Sequence, residues 1–178
     1  MTPAIGETAP TFELPDTEGD RHSLNGGGEA AAATVLVFTC NHCPYALAWH
    51  DRLLDVGRDY ASRGVRMLLV NSNDAERYPR DSPDAMRARV RDDGGWPVPY
   101  LRDEDQQVAH AYAARVTPDV FVIAADGAIV YRGAPDADHG DESLNAAWLR
   151  AALDAVLAGE PVSEPETRAR GCGVKWKA

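Results

Sequence analysis

Residues 38–50 read FTCNHCPYALAWH. An apolar run ends at Phe38 and Thr39, Cys40 and Cys43 follow three positions apart, and Pro44 opens a segment with helical spacing. The run TVLVFT, residues 34–39, predicts a buried central strand, because a strand covered on both faces carries no polar alternation. Ala46, Trp49, Leu53, Val56 and Tyr60 recur every three or four positions, which predicts a helix over 44–63 stopped by Gly64. Pro44 suits its first turn, where a missing N–H leaves no bond unmade. Cys40 is then expected at the mouth of the helix, where unpaired amides and the helix dipole favour a thiolate. The dipole supplies about 2 kcal/mol at best, roughly 1.5 pKa units. The remaining tuning falls to local amides, to Cys43 and to the residues between the cysteines, Asn41 and His42. A histidine there stabilises the reduced thiolate and makes the disulfide more oxidising.

Working outward, TFELPDTEGDRHSL (11–24) predicts two short strands joined at Glu18-Gly19-Asp20, followed by a loop at Gly26–Gly28. VRMLLV (65–70) predicts another strand, and DSPDAMRARV (81–90) a helix with Ser82 as N-cap, Pro83 at its first position and Asp84 beside its positive end. GGWPVPY (94–100) reads as a Pro-rich connection or short edge strand. A short helix over about 105–114 precedes DVFVIAADGAIVYRG (119–133), two strands joined at Ala125-Asp126-Gly127. A last amphipathic helix is expected over 143–158, on Leu144, Trp148, Leu149, Ala152, Leu153, Val156 and Leu157. Beyond Gly159 the chain is polar and turn-rich. The order implies one α/β domain over residues 1–160, a central mixed β-sheet flanked by helices with an N-terminal β-hairpin extension, and a basic C-terminal tail over 161–178 that carries Cys172.

The chain has 178 residues, 44% of them apolar, enough for one domain with a sizeable core. A net charge of −10 argues against a nucleic-acid partner, and no apolar run approaches the roughly 18 residues of a membrane span. MTPAIGETAP lacks a basic segment followed by an apolar one, so a cytoplasmic location is expected. Three cysteines are too few for a disulfide scaffold, and in a reducing compartment a close pair points to redox chemistry or metal binding.

A strand, then Cys-x-x-Cys-Pro opening a helix, then Thr117-Pro118 before a hairpin, resembles the thioredoxin superfamily. That resemblance implies a thioredoxin-like fold, with Cys40 as attacking thiol, Cys43 as resolving thiol, Pro118 as a cis proline facing them, and Thr117 offering backbone hydrogen bonds to a bound polypeptide. IGETAPTFELPDTEG (5–19), CNHCPY (40–45), VNSNDAERYPRDSPDAM (70–86), TPDVFVI (117–123) and GCGVKWK (171–177) together resemble the peroxiredoxin-like AhpC/TSA group that carries a thioredoxin-type CxxC. Aligned on Cys43-Pro44, the peroxiredoxin threonine is replaced by Cys40; aligned on FVI, the peroxide-binding arginine falls at Pro118, with Arg115 three residues away. Thr39 and Thr34 replace the tryptophan and the buried aspartate of thioredoxins. The resemblance implies thiol-disulfide exchange with disulfide-containing proteins or small thiols, supplied by an external thiol electron donor, in an antioxidant or redox-homeostasis role, without an organic cofactor. Thiol-dependent peroxide reduction is the alternative.

A second alternative is soft-metal binding without turnover, on Cys40, His42, Cys43 and His50. No metal is expected, because tetrahedral zinc normally needs a second well-spaced pair. Cys172, between Gly171 and Gly173 and near Arg168, Arg170, Lys175 and Lys177, is a possible third redox thiol, with a mobile backbone and cations that favour its thiolate.

Overall fold

The strand that ends before the cysteines sits at the centre of the sheet. In a computed structural model, which describes residues 3–25 and 31–178, the chain forms β1 (Phe12–Pro15), β2 (Arg21–Leu24), β3 (Ala33–Phe38), α1 (Pro44–Ala61), β4 (Val65–Asn71), α2 (Pro83–Asp92), β5 (Tyr100–Arg102), α3 (Gln107–Ala111), β6 (Val116–Thr117), β7 (Asp119–Ala124), β8 (Ile129–Gly133), α4 (Ala147–Leu157) and β9 (Cys172–Gly173). The main sheet runs β5-β4-β3-β7-β8. β4 lies parallel to β3 and β5, while β7 runs antiparallel to β3 and β8, so the sheet is mixed as expected. The Gly26–Gly28 loop lies outside the described residues.

Successive side chains of a strand point to opposite faces, and β3 feeds two cores. Val35 and Val37 pack with Trp49, Leu53 and Val56 of α1 and with Leu149 and Leu153 of α4. Leu36 and Phe38 pack on the other face with Leu68, Leu101, Phe121 and Tyr112, closed by Leu14 and Leu24 of the N-terminal hairpin. α2 begins as its sequence predicts, with the Ser82 hydroxyl accepting the Ala85 N–H at 3.1 Å and Pro83 in the first turn.

Two regions differ from expectation. The last helix is not continuous: a 3₁₀ turn at Glu142–Leu144 is followed by left-handed Asn145 and Ala146, and α4 starts only at Ala147. The break serves buried Asp136, whose carboxylate accepts the Ala146 N–H at 2.9 Å, an unbroken helix being unable to spare that amide in this position. Asp136 also accepts the Trp49 indole N–H at 2.9 Å and Arg52 at 2.8 Å.

The segment beyond Gly159 is stitched to the domain. β9 pairs with β6, Thr117 opposite Cys172. The Arg132 amide donates to Pro165 O, and the Thr167 amide to Arg132 O, both at 2.9 Å. The Val174 amide bonds Arg115 O, Lys175 bonds Asn73 and Asp74, and Trp176 stacks on His110 with ring centroids 4.3 Å apart. Gly133, at φ +150°, has Thr167 where a Cβ would stand, with Oγ1 2.0 Å from that point. At the opposite sheet edge, Asp16 bridges Leu101.

Candidate functional site

Cys43 is the N-cap of α1 and Cys40 lies in the loop between β3 and that helix. All three cysteines are free thiols, and they cluster: Cys40, Cys43 and Ala46 are buried, with Cys172 packed against them. Cys40 Sγ lies 3.3 Å from Thr117 Oγ1, and Cys43 Sγ lies 3.1 Å from Thr117 O. The Thr117–Pro118 peptide is cis. The sequence-predicted residues Cys40, Cys43, Thr117, Pro118 and Cys172 therefore converge, and Cys172 reaches Cys43, its amide 3.3 Å from Cys43 Sγ.

The hydrogen bond between the two thiols pushes Cys43 down and Cys40 up. Cys40 is 1% exposed and its thiol is pushed well above the ordinary value, by the hydrogen bond it shares with Cys43, by burial, and by the negative charge of Asp81. Cys43 is pulled down to about 4, first by the Cys40 hydrogen bond and then, against burial, by the Cys172 thiol and the amides of Ala46 and Cys172. Donors reach both sulphurs: the Cys172 thiol and the amides of Ala46 and Cys172 favour charge on Cys43, the Thr117 hydroxyl and the His42 amide favour it on Cys40, and the Asp81 carboxylate disfavours it there. Cys172 also departs from expectation: burial and its contact with Cys43 push its thiol up to about 11. Of its four neighbouring cations only Lys175 acts against this; Lys177 pairs with Glu104 at 3.3 Å, and Arg168 lines a separate cavity with Arg115 and Arg132.

Asp81, wholly buried just before the α2 N-cap, is the site residue that sequence reasoning missed. Its carboxylate accepts the Asn41 amide at 2.7 Å and the Asn71 and Asn73 side-chain amides, each at 3.0 Å. His42 Nδ1 lies 2.6 Å from Asp81 Oδ2, at an angle that makes no hydrogen bond, and the His42 ring stacks on Tyr78. Asn41 is pinned by Tyr100, Arg89 and the Arg80 carbonyl, at 2.8, 3.0 and 2.8 Å. Arg89 also bonds the Cys40 carbonyl. The loop between the cysteines is thus held from below by the 70–86 segment, whose run of Asn, Asp and Arg was the available signal.

Cys40 Sγ, His42 Nδ1 and an Asp81 oxygen lie within 4.8 Å of one another. That set differs from the metal ligands considered above. His50 packs on Trp96 and is held down to about 4 by burial and by Arg89. The Asp81 oxygens already accept three N–H donors, so the triad serves the loop before it could serve an ion.

A depressed thiol gives a testable pH dependence. Between pH 9 and about 4 the unfolded chain carries a proton on Cys43 that the folded chain does not, so this group's contribution is complete above the ordinary value of 9.0 and is lost as pH falls through about 4. Cys40 works oppositely, its contribution present below 9.0 and lost at higher pH. Neutral His50 also favours the folded state above about 4. Reduced protein is expected to show thiolate ultraviolet absorbance that persists well below the ordinary 9.0, and to lose stability toward acid more steeply than Cys43→Ser, which retains His50. Equal acid slopes would contradict the assignment.

This arrangement, a central β3 feeding a helix capped by one of two cysteines that meet the residue before a cis proline, defines a thioredoxin-like redox domain. The putative thioredoxin of Neisseria meningitidis shares the fold, at 23% identity and a TM-score of 0.68 over 89% of this chain and 95% of that one. The chain belongs to the AhpC/TSA family, whose model matches residues 5–132. It is similar to the thiol-disulfide oxidoreductase ResA of Geobacillus thermodenitrificans strain NG80-2, 28% identical over 127 residues that cover 71% of this chain and 67% of that protein. An uncharacterized conserved protein from Geobacillus kaustophilus has a crystal structure similar over 98% of this chain and 93% of that one, at 41% identity and a TM-score of 0.91.

Proposed function

We propose that this protein is a thiol-disulfide oxidoreductase whose Cys40–Cys43 pair cycles between dithiol and disulfide. The observation that carries the reading is the convergence of both sulphurs on Thr117, beside cis Pro118, at the head of α1. The similarity to ResA supports it. Cys43, as the stabilised thiolate, attacks a substrate disulfide and releases one thiolate; Cys40 then attacks Cys43, releasing the second and closing the Cys40–Cys43 disulfide. These roles reverse the thioredoxin order, and they rest on the thiol–thiol hydrogen bond that favours charge on Cys43 and on the Asp81 charge beside Cys40. A disulfide-containing protein or small molecule is the oxidant, an external thiol restores the pair, and the acidic, cysteine-poor composition suits the reducing cytoplasm.

Peroxide reduction is the second reading, favoured by the AhpC/TSA family and by Cys43-Pro44 at the helix head. Against it stand Cys40 and Pro118 at the positions of the peroxide-binding threonine and arginine. The test mixes reduced protein with a protein disulfide or with hydrogen peroxide, and maps the product by alkylation. Disulfide consumption is expected to outpace peroxide consumption, leaving a Cys40–Cys43 disulfide. Faster peroxide turnover would favour the second reading, and a stoichiometric metal that blocks alkylation of the pair would replace both by metal binding.

A further inference from the structure

The cysteine pair is shut in by the chain's own C-terminal strand. Cys40 and Cys43 are 1% and 0% exposed, whereas Cys172, directly over Cys43, is only half-buried. β9 holds it there by pairing with β6 along the edge that leads into Pro118. The fit is close: a Cβ on Gly171 would stand 2.0 Å from the Thr117 carbonyl oxygen. Beside Cys172 opens a cavity of about 470 Å³, lined by His42, Pro44 and Tyr78, with Arg77, Arg80 and Lys175 as its charged groups. Three cations around one thiol are notable on a chain of net charge −10.

We propose that Cys172 carries the oxidised state of the buried pair to the surface, by forming a Cys43–Cys172 disulfide that a small anionic thiol, bound in this cavity, opens at Cys172. The inference rests on the thiol-disulfide reading above. In the first step Cys172 sulphur attacks Cys43 of the Cys40–Cys43 disulfide; the Cys43–Cys172 bond forms, the Cys40–Cys43 bond breaks, and the proton from Cys172 passes to Cys40. In the second, the thiolate of the external donor attacks Cys172, forming a mixed disulfide and releasing Cys43 as thiolate. A second donor thiol displaces the first as its disulfide and returns Cys172 to the thiol, so two donor thiols are oxidised for one disulfide reduced.

The electrostatics run with this order. Cys40, on which burial and the Asp81 charge favour the protonated thiol, is the acceptor in the first step, and Cys43, lowered by the Cys40 hydrogen bond and the Ala46 amide, is a good leaving group in the second. Two of the three influences that hold the Cys172 thiol up, the hydrogen bond and the charge from Cys43, disappear once Cys43 is in a disulfide.

The test begins with Cys40→Ser oxidised by diamide, followed by alkylation and peptide mapping. A Cys43–Cys172 cross-link, with loss of two hydrogens, is expected; a freely alkylated Cys172 overturns the proposal. Reduction of the preformed Cys40–Cys43 disulfide by glutathione is expected to slow at least about tenfold in Cys172→Ser, an intramolecular partner having been lost; an unchanged rate overturns it. Gly171→Ala keeps all three thiols but displaces β9, and is expected to form Cys40–Cys43 while Cys40→Ser/Gly171→Ala loses the cross-link. An undiminished cross-link would refute the role of β9. Glutathione should outpace its diethyl ester in wild type, and the reverse order refutes an anionic donor. If wild type forms no Cys40–Cys43 disulfide with any oxidant, the underlying exchange reading fails instead, whatever Cys40→Ser shows.

Discussion

Cys43→Ser is expected to lower disulfide exchange by at least about a thousandfold, because a serine hydroxyl at this position fits the space but does not ionise. Cys43 Sγ meets the Thr117 carbonyl at 3.1 Å and takes the Cys172 amide at 3.3 Å, the Cys40 and Cys172 thiols, and the α1 amide of Ala46. The same donors would bond a serine oxygen, so the fold should survive while the chemistry is lost. Cys40→Ser/Cys172→Ser, which lacks both thiols able to resolve it, should behave differently, attacking a substrate disulfide once and stopping at a mixed disulfide on Cys43. Trapping this adduct and mapping it by mass spectrometry separates the two cysteines. A Cys43→Ser protein that keeps more than about a tenth of the wild-type rate would remove Cys43 from the reaction, since loss of a nucleophile costs orders of magnitude. An adduct trapped on Cys40 of Cys43→Ser would restore the thioredoxin order of attack.

The largest effect on stability is expected at Asp136, behind the helix that bears Cys43. Its carboxylate takes the Trp49 indole, the Arg52 guanidinium, and the amides of Ala146 and Asp138. Arg52 is buried, and its Nη atoms also donate to the carbonyls of Asp138, His139 and Asp141. Removing the acid leaves a buried cation without its counter-charge, which typically costs about 3–5 kcal/mol. For a chain of this length Asp136→Ala should therefore melt roughly 10 °C lower. Asp136→Asn, which keeps an oxygen for Trp49, should fall between the two. Chemical denaturation of the reduced proteins measures this directly. A loss below about 1 kcal/mol, the size of an exposed pair, would mean that Arg52 finds water or another partner.

Much of the fold was legible because its signals are local. The unbroken apolar run of β3, the three-and-four spacing of α1, the Ser82-Pro83 start of α2 and the Asp126-Gly127 turn between β7 and β8 each constrain a few neighbouring residues, and the folded chain obeys them. The cysteine pair was legible for the same reason. What escaped depends on partners distant in the chain. Asp81 reads as one acid in a polar stretch until Asn41, Asn71 and Asn73 close on it. The helix break at Asn145 and Ala146 follows from the demand of Asp136. The C-terminal segment has almost no apolar periodicity, because backbone hydrogen bonds and single anchors such as Val174 and Trp176 hold it.

The strapping of β8 by Pro165 and Thr167, together with the Asp16–Leu101 bridge at the opposite border, has a consequence for behaviour in a crowded cell. Strands left open at a border recruit foreign strands and seed fibrils. Here the molecule supplies its own covering at both margins, and Gly133 has no side chain to push that covering away. The segments that resemble spare ends are what keep neighbouring copies from zipping together.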